Sequence, residues 1–325
     1  MATIKDIAAE TGLSVGTVSR VFNNRGYISK DARDRVAAAV KKLNYKPNAI
    51  ARSLSQSSSS LIGVIVPHIV HPFFSELVSS IEETAGRSGY SLLLFKSDGD
   101  AERESQMIDK CSEYRVSGLI LCSGRFSDTK LEKHSFPVVT IERMPGQADF
   151  SIQCDNAKGG RLAAEHLISR GSRHLLQLSG IQGKHMPADA RGTAFEEVCK
   201  EAGVDCVSLP YDEKLYAELD YTELIEKALL DYPETDGFFA SSDVIAAQAL
   251  QVCGKRGISV PQRMKIVGFD DTIIAVSTSP EITTVHQPVK EMAEMAVSAL
   301  KGFSEGRAVK GCLTMDVELA VRGTT

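Results

Sequence analysis

The chain has 325 residues, of which 43% are hydrophobic and 24% are charged, a composition typical of a folded globular protein. This length is too great for one ordinary domain and suits two or three. No apolar run approaches the roughly 20 residues that cross a bilayer, and charged residues interrupt the N-terminus from Lys5 onward. We therefore expect no membrane span and no secretory signal, and we expect the chain in the cytoplasm.

The net charge of −5 is unevenly distributed along the chain. Residues 1–60 carry ten Lys and Arg against four Asp and Glu, whereas residues 61–325 carry 27 against 38. A basic head on an acidic body favours phosphate binding by the N-terminal end, and the alternative is a small basic domain without such a role.

The cysteines indicate neither a disulfide framework nor a zinc site. They are seven in number, scattered, and without any CxxC pair. We predict that most of them are small core residues and that the protein holds no metal. No sequence motif indicates a cofactor.

Residues 1–46 are predicted to form a head of three helices. In the first helix, apolar residues recur at helical spacing until Gly12 breaks the pattern, and Ser14 is positioned to cap the second helix. The residues of the second helix predicted to face inward are Val15, Val18 and Phe22. A third helix is predicted from near Ser29 to Leu43. Two short helices around a glycine turn, the second with a mostly polar outer face, are typical of a helix-turn-helix, whose second helix enters the major groove of DNA.

Residues 47–60 are predicted to form a joint of marginal stability. Pro47 ends the third helix, and residues 48–55 can form about two helical turns, which are too short to be stable alone in water. The serine run at 57–60 is predicted to be flexible. We expect this segment to fold only when DNA and a partner subunit support it.

From residue 61 onward, apolar strands alternate with amphipathic helices. The alternation begins with the strand LIGVIVP and restarts with HLLQLSG after a helix in CDNAKGGRLAAEHLISRG. A last helix is predicted at 288–302 and late strands at 311–321. The fold class is therefore α/β, with a three-helix head and hinge helix followed by two doubly wound parallel α/β subdomains.

Four motifs in order along the chain resemble the LacI/GalR family of bacterial transcription regulators. They are IKDIAAETGLSVGTVSRVFN, KPNAIARSL, IGVIVP…PFFSELV and VGFDDT…SPEITTVHQP. The resemblance implies a dimer-forming body of periplasmic-binding-protein type that binds an effector between its two subdomains. It also implies chain crossovers, with 61–157 and 287–316 in the N-subdomain and 158–286 and 317–325 in the C-subdomain.

The resemblance also implies a DNA-binding face centred on the second helix of the head. Arg20 is predicted to contact guanine with two hydrogen bonds, and the alternative is that it meets only a phosphate. Val15 can offer only an apolar contact, and Gly16 has no side chain to offer. The implied DNA-binding residues are Thr3, Lys5, Val15, Gly16, Thr17, Ser19, Arg20, Asn23, Arg25, Tyr45, Asn48, Ala51, Arg52 and Leu54.

Within the joint, Leu54 and Ala51 have special implied roles. In the family, a leucine at the Leu54 position is wedged with its partner's copy between base pairs in the minor groove, which unstacks and kinks the duplex. Ala51 is small enough to let two hinge helices meet closely. The resemblance thus implies a homodimer on palindromic operator DNA, located with the nucleoid, whose affinity depends strongly on salt.

Ligands of parallel α/β units bind beyond the carboxyl ends of the strands, so the residues just after each predicted strand are candidates for an effector site. These candidates, together with Arg191 at a helix start and Gln287 at an implied crossover, are His68, Phe73, Phe74, Glu142, Arg191, Ser242, Asp243, Asp270 and Gln287. By resemblance, the two phenylalanines contact the effector, and Arg191 and Asp270 form a charged clamp. One phenylalanine can alternatively pack in the core, and Asp271 is predicted to cap a helix.

An arginine, one or two carboxylates and an aromatic platform suit sugar hydroxyl groups, which both donate and accept hydrogen bonds. The predicted function is therefore a dimeric repressor of a carbohydrate-utilisation operon, whose operator affinity changes when a sugar or sugar phosphate binds in the cleft. Whether the ligand releases DNA or promotes binding is left open. An alternative within the same family is a carbon-catabolite regulator controlled by a phosphocarrier protein.

Other functional classes fit the sequence less well. GLSVG at 12–16 matches the GxSxG nucleophile pattern but follows a helix instead of a buried strand. GIQGKH at 180–185 is too short for a phosphate-binding P-loop. A periplasmic sugar receptor would lack the basic head. We therefore predict that the protein is not an enzyme.

Overall fold

A computed structural model of the chain describes residues 2–23, 26–45, 60–122, 134–143, 148–182, 186–307 and 309–325, without the side chain of Asn23. The chain divides into two compact units, Met1–Ser59 and Ser60–Thr325, which are considered separately. Of the predicted joint at 47–60, only Ser60 lies within the described residues.

The head contains the three predicted helices. They are α1 (Ile4–Thr11), α2 (Val15–Asn23) and α3 (Lys30–Lys42). The Thr3 hydroxyl and the Asp6 carboxylate cap the start of α1 reciprocally, and Gly12 ends the helix in the left-handed conformation at φ 65°. The core of the head consists of Ile7, Ala8, Val18, Val36 and Ala39.

The prediction that Val15 faces the interior of the head is wrong. Val15 is 42% exposed, whereas Val18 is fully buried and Phe22 packs against the core cluster. The core of the head closes over Val18 and leaves the first turn of α2, with Val15 and Gly16, in solvent. The sequence pattern could not separate these positions, because the side chains of all three residues share one helical stripe.

The second unit contains two six-stranded sheets. The strands of the first sheet are β1 (Leu61–Val66), β2 (Ser91–Lys96), β3 (Gly118–Cys122), β4 (Val138–Ile141), β5 (Phe150–Cys154) and β11 (Gly311–Met315). They lie in the order β11-β5-β4-β3-β1-β2, and every neighbouring pair is parallel. The helices that pack on this sheet are α4 (Pro72–Arg87), α5 (Ala101–Glu113) and α12 (Val289–Ser304).

The second sheet has the same organisation. Its strands are β6 (His174–Ile181), β7 (Asp205–Tyr211), β8 (Gly237–Ala240), β9 (Lys265–Asp270), β10 (Thr283–His286) and β12 (Glu318–Ala320). Their order is β12-β10-β9-β8-β6-β7, with one antiparallel pair, β10 and β12. The helices of this half are α6 (Asn156–Ser169), α7 (Asp189–Glu201), α8 (Glu213–Glu218), α9 (Thr222–Asp231), α10 (Asp243–Lys255) and α11 (Ile273–Ser277).

The prediction of two parallel α/β subdomains is confirmed, and the differences concern short elements. The sequence pattern predicts no separate strand at β5 or β10 and no helix at α8 or α11. These elements have four to six residues, which is too few for hydrophobic periodicity to be read reliably. The predicted late strands belong to different sheets, because β11 pairs with β5 in the first sheet and β12 pairs with β10 in the second. The predicted residue boundaries of the subdomains stay a prediction.

Five of the seven cysteines are buried, which agrees with the prediction that most are core residues. Cys206 is partly buried and Cys312 is exposed. Within the described part of the chain, no three potential metal ligands come together, and no helix is both long and apolar enough to span a bilayer.

Candidate functional site

The carboxyl ends of strands from both sheets meet at one cavity in the second unit. It encloses about 690 Å³ that no protein atom fills, part of it open to solvent. The predicted effector residues that line it are Phe73, Phe74, Glu142, Arg191, Ser242, Asp270 and Gln287. Because strands of a parallel sheet all end at the same edge, residues far apart in the chain converge here.

Arg191, in the first turn of α7, is the centre of the polar part of this cavity. Its Nε donates to Asn156 Oδ1 at 2.6 Å and its Nη1 to the Ser241 carbonyl oxygen at 2.8 Å. The guanidinium carbon lies 3.5 Å from the centroid of the Phe269 ring, within cation–π range. Arg191 is almost fully buried, so these contacts fix the guanidinium in one orientation.

Two carboxylates accompany this guanidinium. Glu142 Oε2 lies 3.9 Å from Nη2, and Asp270 Oδ1 lies 3.7 Å from Nη1 of Arg191. Glu142 is oriented by hydrogen bonds from the Cys154 backbone N–H at 2.5 Å and from Asn156 Nδ2 at 3.0 Å. The clamp implied for Arg191 and Asp270 is therefore present as a spatial arrangement, extended by Glu142 and Asn156.

The helix α6 supplies Asn156 and also sets the position of Arg191. A Cβ added at Gly160 would overlap the Arg191 carbonyl oxygen, and one added at Gly159 would meet the Phe269 ring at 2.5 Å. The glycine pair thus lets α6 approach α7 and β9 more closely than any side chain would allow.

Asp270 stands at the end of β9 in an unusual backbone conformation. Its φ is 114°, in the region that favours glycine, and such strain costs about 1–3 kcal/mol and concentrates at functional sites. Gln287 Nε2 donates to Asp270 Oδ1 at 2.7 Å. Burial raises the pKa of Asp270 well above its usual value, and the Arg191 guanidinium opposes that rise.

Aromatic rings form the apolar part of the cavity. Phe73 and Phe74, at the start of α4, meet edge to face with centroids 5.1 Å apart. Both rings are buried, line the cavity and belong to an apolar core cluster with residues from both sheets, so core packing and cavity lining are not alternatives here. Three further lining rings were not among the predicted effector residues and come from the second half of the unit: Tyr211, Tyr216 and Tyr221.

Tyr211 ends β7 and could have been found by the rule that selected the other candidates. Tyr216 and Tyr221 belong to the short helix α8 and the turn after it, and no local signal marked them. Tyr211 and Tyr221 meet edge to face with centroids 5.0 Å apart. Burial raises the pKa of both phenols, so neither ionises near neutral pH.

The two histidines that precede α4 have different positions. His68 was predicted to reach the effector but does not line the cavity, because its ring packs edge to face on Tyr216, 4.7 Å between centroids. His71, which the sequence analysis did not select, lines the cavity. Burial lowers the pKa of His71 to about 3, assisted by the nearby His68 and Arg191, so its imidazole is neutral at physiological pH.

Asp243 and Asp271 have structural partners that the sequence did not indicate. Asp243 does not line the cavity, because its carboxylate turns toward β10 and accepts hydrogen bonds from Thr284 Oγ1 at 2.6 Å and from the Thr272 backbone N–H at 2.7 Å. Asp271 does not cap α11, whose N-cap is Thr272. Asp271 instead accepts a hydrogen bond from Arg322 Nη2 at 2.6 Å.

In the head, the predicted base-reading residues lie at the surface. Val15, Gly16 and Arg20 are exposed on α2, and Lys5 is exposed on α1. The Arg20 Nε donates weakly to the Gly16 carbonyl oxygen at 3.4 Å.

Other predicted head residues have partners within the head. The Thr3 hydroxyl takes part in the cap of α1, the Thr17 hydroxyl contacts Ser14 Oγ at 2.9 Å, and Ser19 is half-buried. Tyr45 packs on Phe22, with ring centroids 5.6 Å apart. The predicted sites that lie outside the described residues are Arg25, Asn48, Ala51, Arg52, Leu54 and the side chain of Asn23.

Comparison with known proteins gives two family matches and close relatives. A family model described as "Bacterial regulatory proteins, lacI family" matches residues 3–48, and one described as "Periplasmic binding protein-like domain" matches residues 164–325. The ribose operon repressor of Halalkalibacterium halodurans is 35% identical over 92% of this chain and 89% of its own length. The sucrose operon repressor of Streptococcus mutans is 32% identical over 92% of each protein.

Among solved structures, the lac repressor dimer bound to operator and the anti-inducer ONPF is similar over 100% of this chain and 99% of that chain. The TM-score is 0.87 and the sequence identity is 26%.

Proposed function

This chain belongs to the lacI family of bacterial regulatory proteins, and from that premise we propose that it represses a carbohydrate-utilisation operon under the control of a sugar bound in the Arg191 cavity. Relatives named as ribose and sucrose operon repressors support the carbohydrate assignment. Members of this family are transcriptional regulators and not enzymes. A regulator of bacterial operons acts where the chromosome is, so we assign it to the cytoplasm.

The observation that carries the proposal is the combination of groups around Arg191. An oriented guanidinium with two carboxylates provides donors and acceptors side by side, which is what a ring of hydroxyl groups requires. The aromatic rings of Phe73, Phe74 and Tyr216 offer apolar surface for the faces of a sugar ring. Seven of the nine effector residues predicted from the sequence line this one cavity.

For the head, we propose that α2 reads base edges in the major groove and that two copies of the chain bind a palindromic operator. The exposed Arg20 and Val15 would contact bases, and Lys5 would contact the phosphate backbone. The similarity to a lac repressor dimer bound to operator supports a dimer. The wedge role of Leu54 and the close approach at Ala51 belong to this proposal.

We propose that the sugar and the operator are linked through differential binding. If the sugar binds one arrangement of the two α/β halves more tightly, it shifts the population of the DNA-binding state. A coupling of about 1–3 kcal/mol, typical of allosteric proteins, changes operator affinity roughly 5- to 150-fold. The direction of the change, release or retention of DNA, is read directly from the experiment below.

The experiment measures binding of the full-length protein to a library of palindromic duplexes by fluorescence anisotropy, with and without each member of a sugar panel. A sugar that changes operator affinity in the wild type should lose its effect in Arg191→Ala and in Asp270→Asn, because both variants break the clamp. Affinity should also fall at least about tenfold between 50 and 200 mM salt through counterion release. A response that persists in both variants would place the effector elsewhere, and failure to bind any palindrome would refute the proposal.

A further inference from the structure

We propose that the cavity selects an uncharged sugar over phosphorylated sugars, and that His71 and Gln287 are the residues that recognise its hydroxyl groups. This inference rests on the function proposed above and specifies the chemical class of its ligand. It concerns two residues that line the cavity, one directly before α4 and one directly after β10.

Two buried polar atoms in the cavity wall have no hydrogen-bond partner within the described part of the chain. They are His71 Nδ1 and Gln287 Oε1. His71 is 8% exposed and Gln287 is 1% exposed, so bulk water does not compensate for the missing partners. An unpartnered buried polar atom is costly, which indicates that a ligand or ordered water completes these two groups.

The contacts that His71 makes within the fold do not require a polar ring. It occupies the N-cap position of α4, yet its side chain makes no capping hydrogen bond. Its ring packs edge to face on Phe74 with centroids 5.5 Å apart, a contact that an apolar ring would make equally well. A neutral imidazole has one donor and one acceptor nitrogen, so either tautomer is matched by a hydroxyl group.

Gln287 presents its acceptor to the cavity because Asp270 holds its donor. The Gln287 amide nitrogen donates to the Asp270 carboxylate, and this bond fixes which end of the amide carries the free oxygen. Gln287 Oε1 therefore needs a hydrogen-bond donor from the ligand. A sugar hydroxyl can donate, whereas a phosphate dianion offers only acceptors.

The charges of the residues around the cavity also disfavour a phosphate. Among the described lining residues, the carboxylates of Glu142 and Asp189 accompany a single guanidinium, that of Arg191, and Asp270 adds a third carboxyl group whose pKa is raised by burial. Arg191 already donates to Asn156 and to the Ser241 carbonyl oxygen. A sugar phosphate brings a further charge of about −1.5 to −2 at pH 7 into this acidic environment.

The first experiment compares matched pairs by titration calorimetry on the full-length protein. Each pair is a neutral sugar and its phosphate monoester, namely ribose, glucose, fructose and sucrose with ribose 5-phosphate, glucose 6-phosphate, fructose 6-phosphate and sucrose 6-phosphate. We expect at least one neutral sugar to bind and its ester to bind about 100-fold more weakly or not at all. An ester that binds as tightly as its parent sugar, or the absence of binding by every neutral sugar, overturns the inference.

The second experiment assigns individual hydroxyl groups. Each singly deoxygenated form of the bound sugar is titrated into the wild type, His71→Phe and Gln287→Met. Loss of one recognised hydroxyl should weaken wild-type binding about 5- to 150-fold, as leaving a buried polar group unpaired does. The deoxy sugar that lacks the hydroxyl contacted by Gln287 should bind Gln287→Met as tightly as it binds the wild type. The deoxy sugar that lacks the hydroxyl contacted by His71 should likewise bind His71→Phe as tightly as it binds the wild type.

His68→Phe is the matched control. His68 is another buried histidine, its Nε2 has no hydrogen-bond partner among the described residues, and it does not line the cavity. For every deoxy sugar, the loss of affinity relative to the parent sugar should be the same in His68→Phe as in the wild type. The inference would be overturned if, for every deoxy sugar, the loss of affinity from deoxygenation and the loss from the substitution simply added in both His71→Phe and Gln287→Met. Operator binding separates the two proposals, because a palindrome response to sugar phosphates alone would refute this inference and leave the repressor function intact.

Discussion

Replacing Gly160 by alanine should damage both the stability of the second unit and the effector cavity. A Cβ at this position would lie 2.8 Å from the Arg191 carbonyl carbon and 3.0 Å from its Cα, besides overlapping the carbonyl oxygen. These atoms belong to the backbone of α7, so no side-chain rotation relieves the clash. The two helices must separate, and Arg191 moves with its own backbone.

The size of the effect follows from the distances. Ordinary carbon–carbon contacts lie at about 3.5–4.0 Å, so α6 and α7 must separate by about 1 Å. Overpacking of this kind costs about 1–3 kcal/mol, against a gain of about 0.5–1 kcal/mol from replacing a helical glycine by alanine. We therefore expect the free energy of unfolding to fall by about 1–2 kcal/mol. The 2.6 Å bond from Arg191 to Asn156 spans the same two helices and should lengthen.

Gly254→Ala is the control, because Gly254 lies in the last turn of α10 and a Cβ there meets nothing within 4 Å. Urea unfolding should show Gly254→Ala at least as stable as the wild type and Gly160→Ala less stable than both. Sugar binding, measured by calorimetry, should weaken only in Gly160→Ala. Equal stability of the two variants together with unchanged sugar affinity in Gly160→Ala would refute the view that this glycine positions Arg191.

Three further predictions concern other parts of the molecule. Thr3→Ala removes the hydroxyl that caps α1 and should lower the unfolding free energy of the head by about 1 kcal/mol, seen as a lower Tm of the head transition in calorimetry. Glu104→Gln leaves the buried Arg143 guanidinium without its paired carboxylate (Nη2 to Oε1, 2.9 Å), so urea unfolding should show a loss of about 3–5 kcal/mol. Burial raises the pKa of Asp243 from 3.8 to about 6, so the native state binds the extra proton between these pH values and stability should fall as pH rises through them. Asp243→Asn should show a shallower fall over this interval, and identical pH profiles would contradict the assignment.

The effector cavity shows which site residues can be predicted from the strand ends in the sequence and which cannot. The carboxyl end of a parallel strand is recognisable from the sequence, and Glu142, Asp270 and Ser242 were selected by that rule, with the clamp role of Asp270 added by the resemblance. The same rule failed for Asp243, because a side chain in the first turn of a helix can turn toward either neighbouring element. Here two threonines, one after β9 and one in β10, hold it in the core.

The chain by itself determined the helix-turn-helix head, the alternation of strands and helices, and most of the residues at the strand ends. These features rest on helical and strand periodicity, caps and glycine stops, which are read within a few residues of each other. Only the tertiary structure decided that Asn156 orients Glu142 and Arg191, that Tyr216 and Tyr221 line the cavity, and that β11 and β12 lie in different sheets. Such contacts join residues from distant parts of the chain, and no local pattern of hydrophobicity specifies which distant partners will meet.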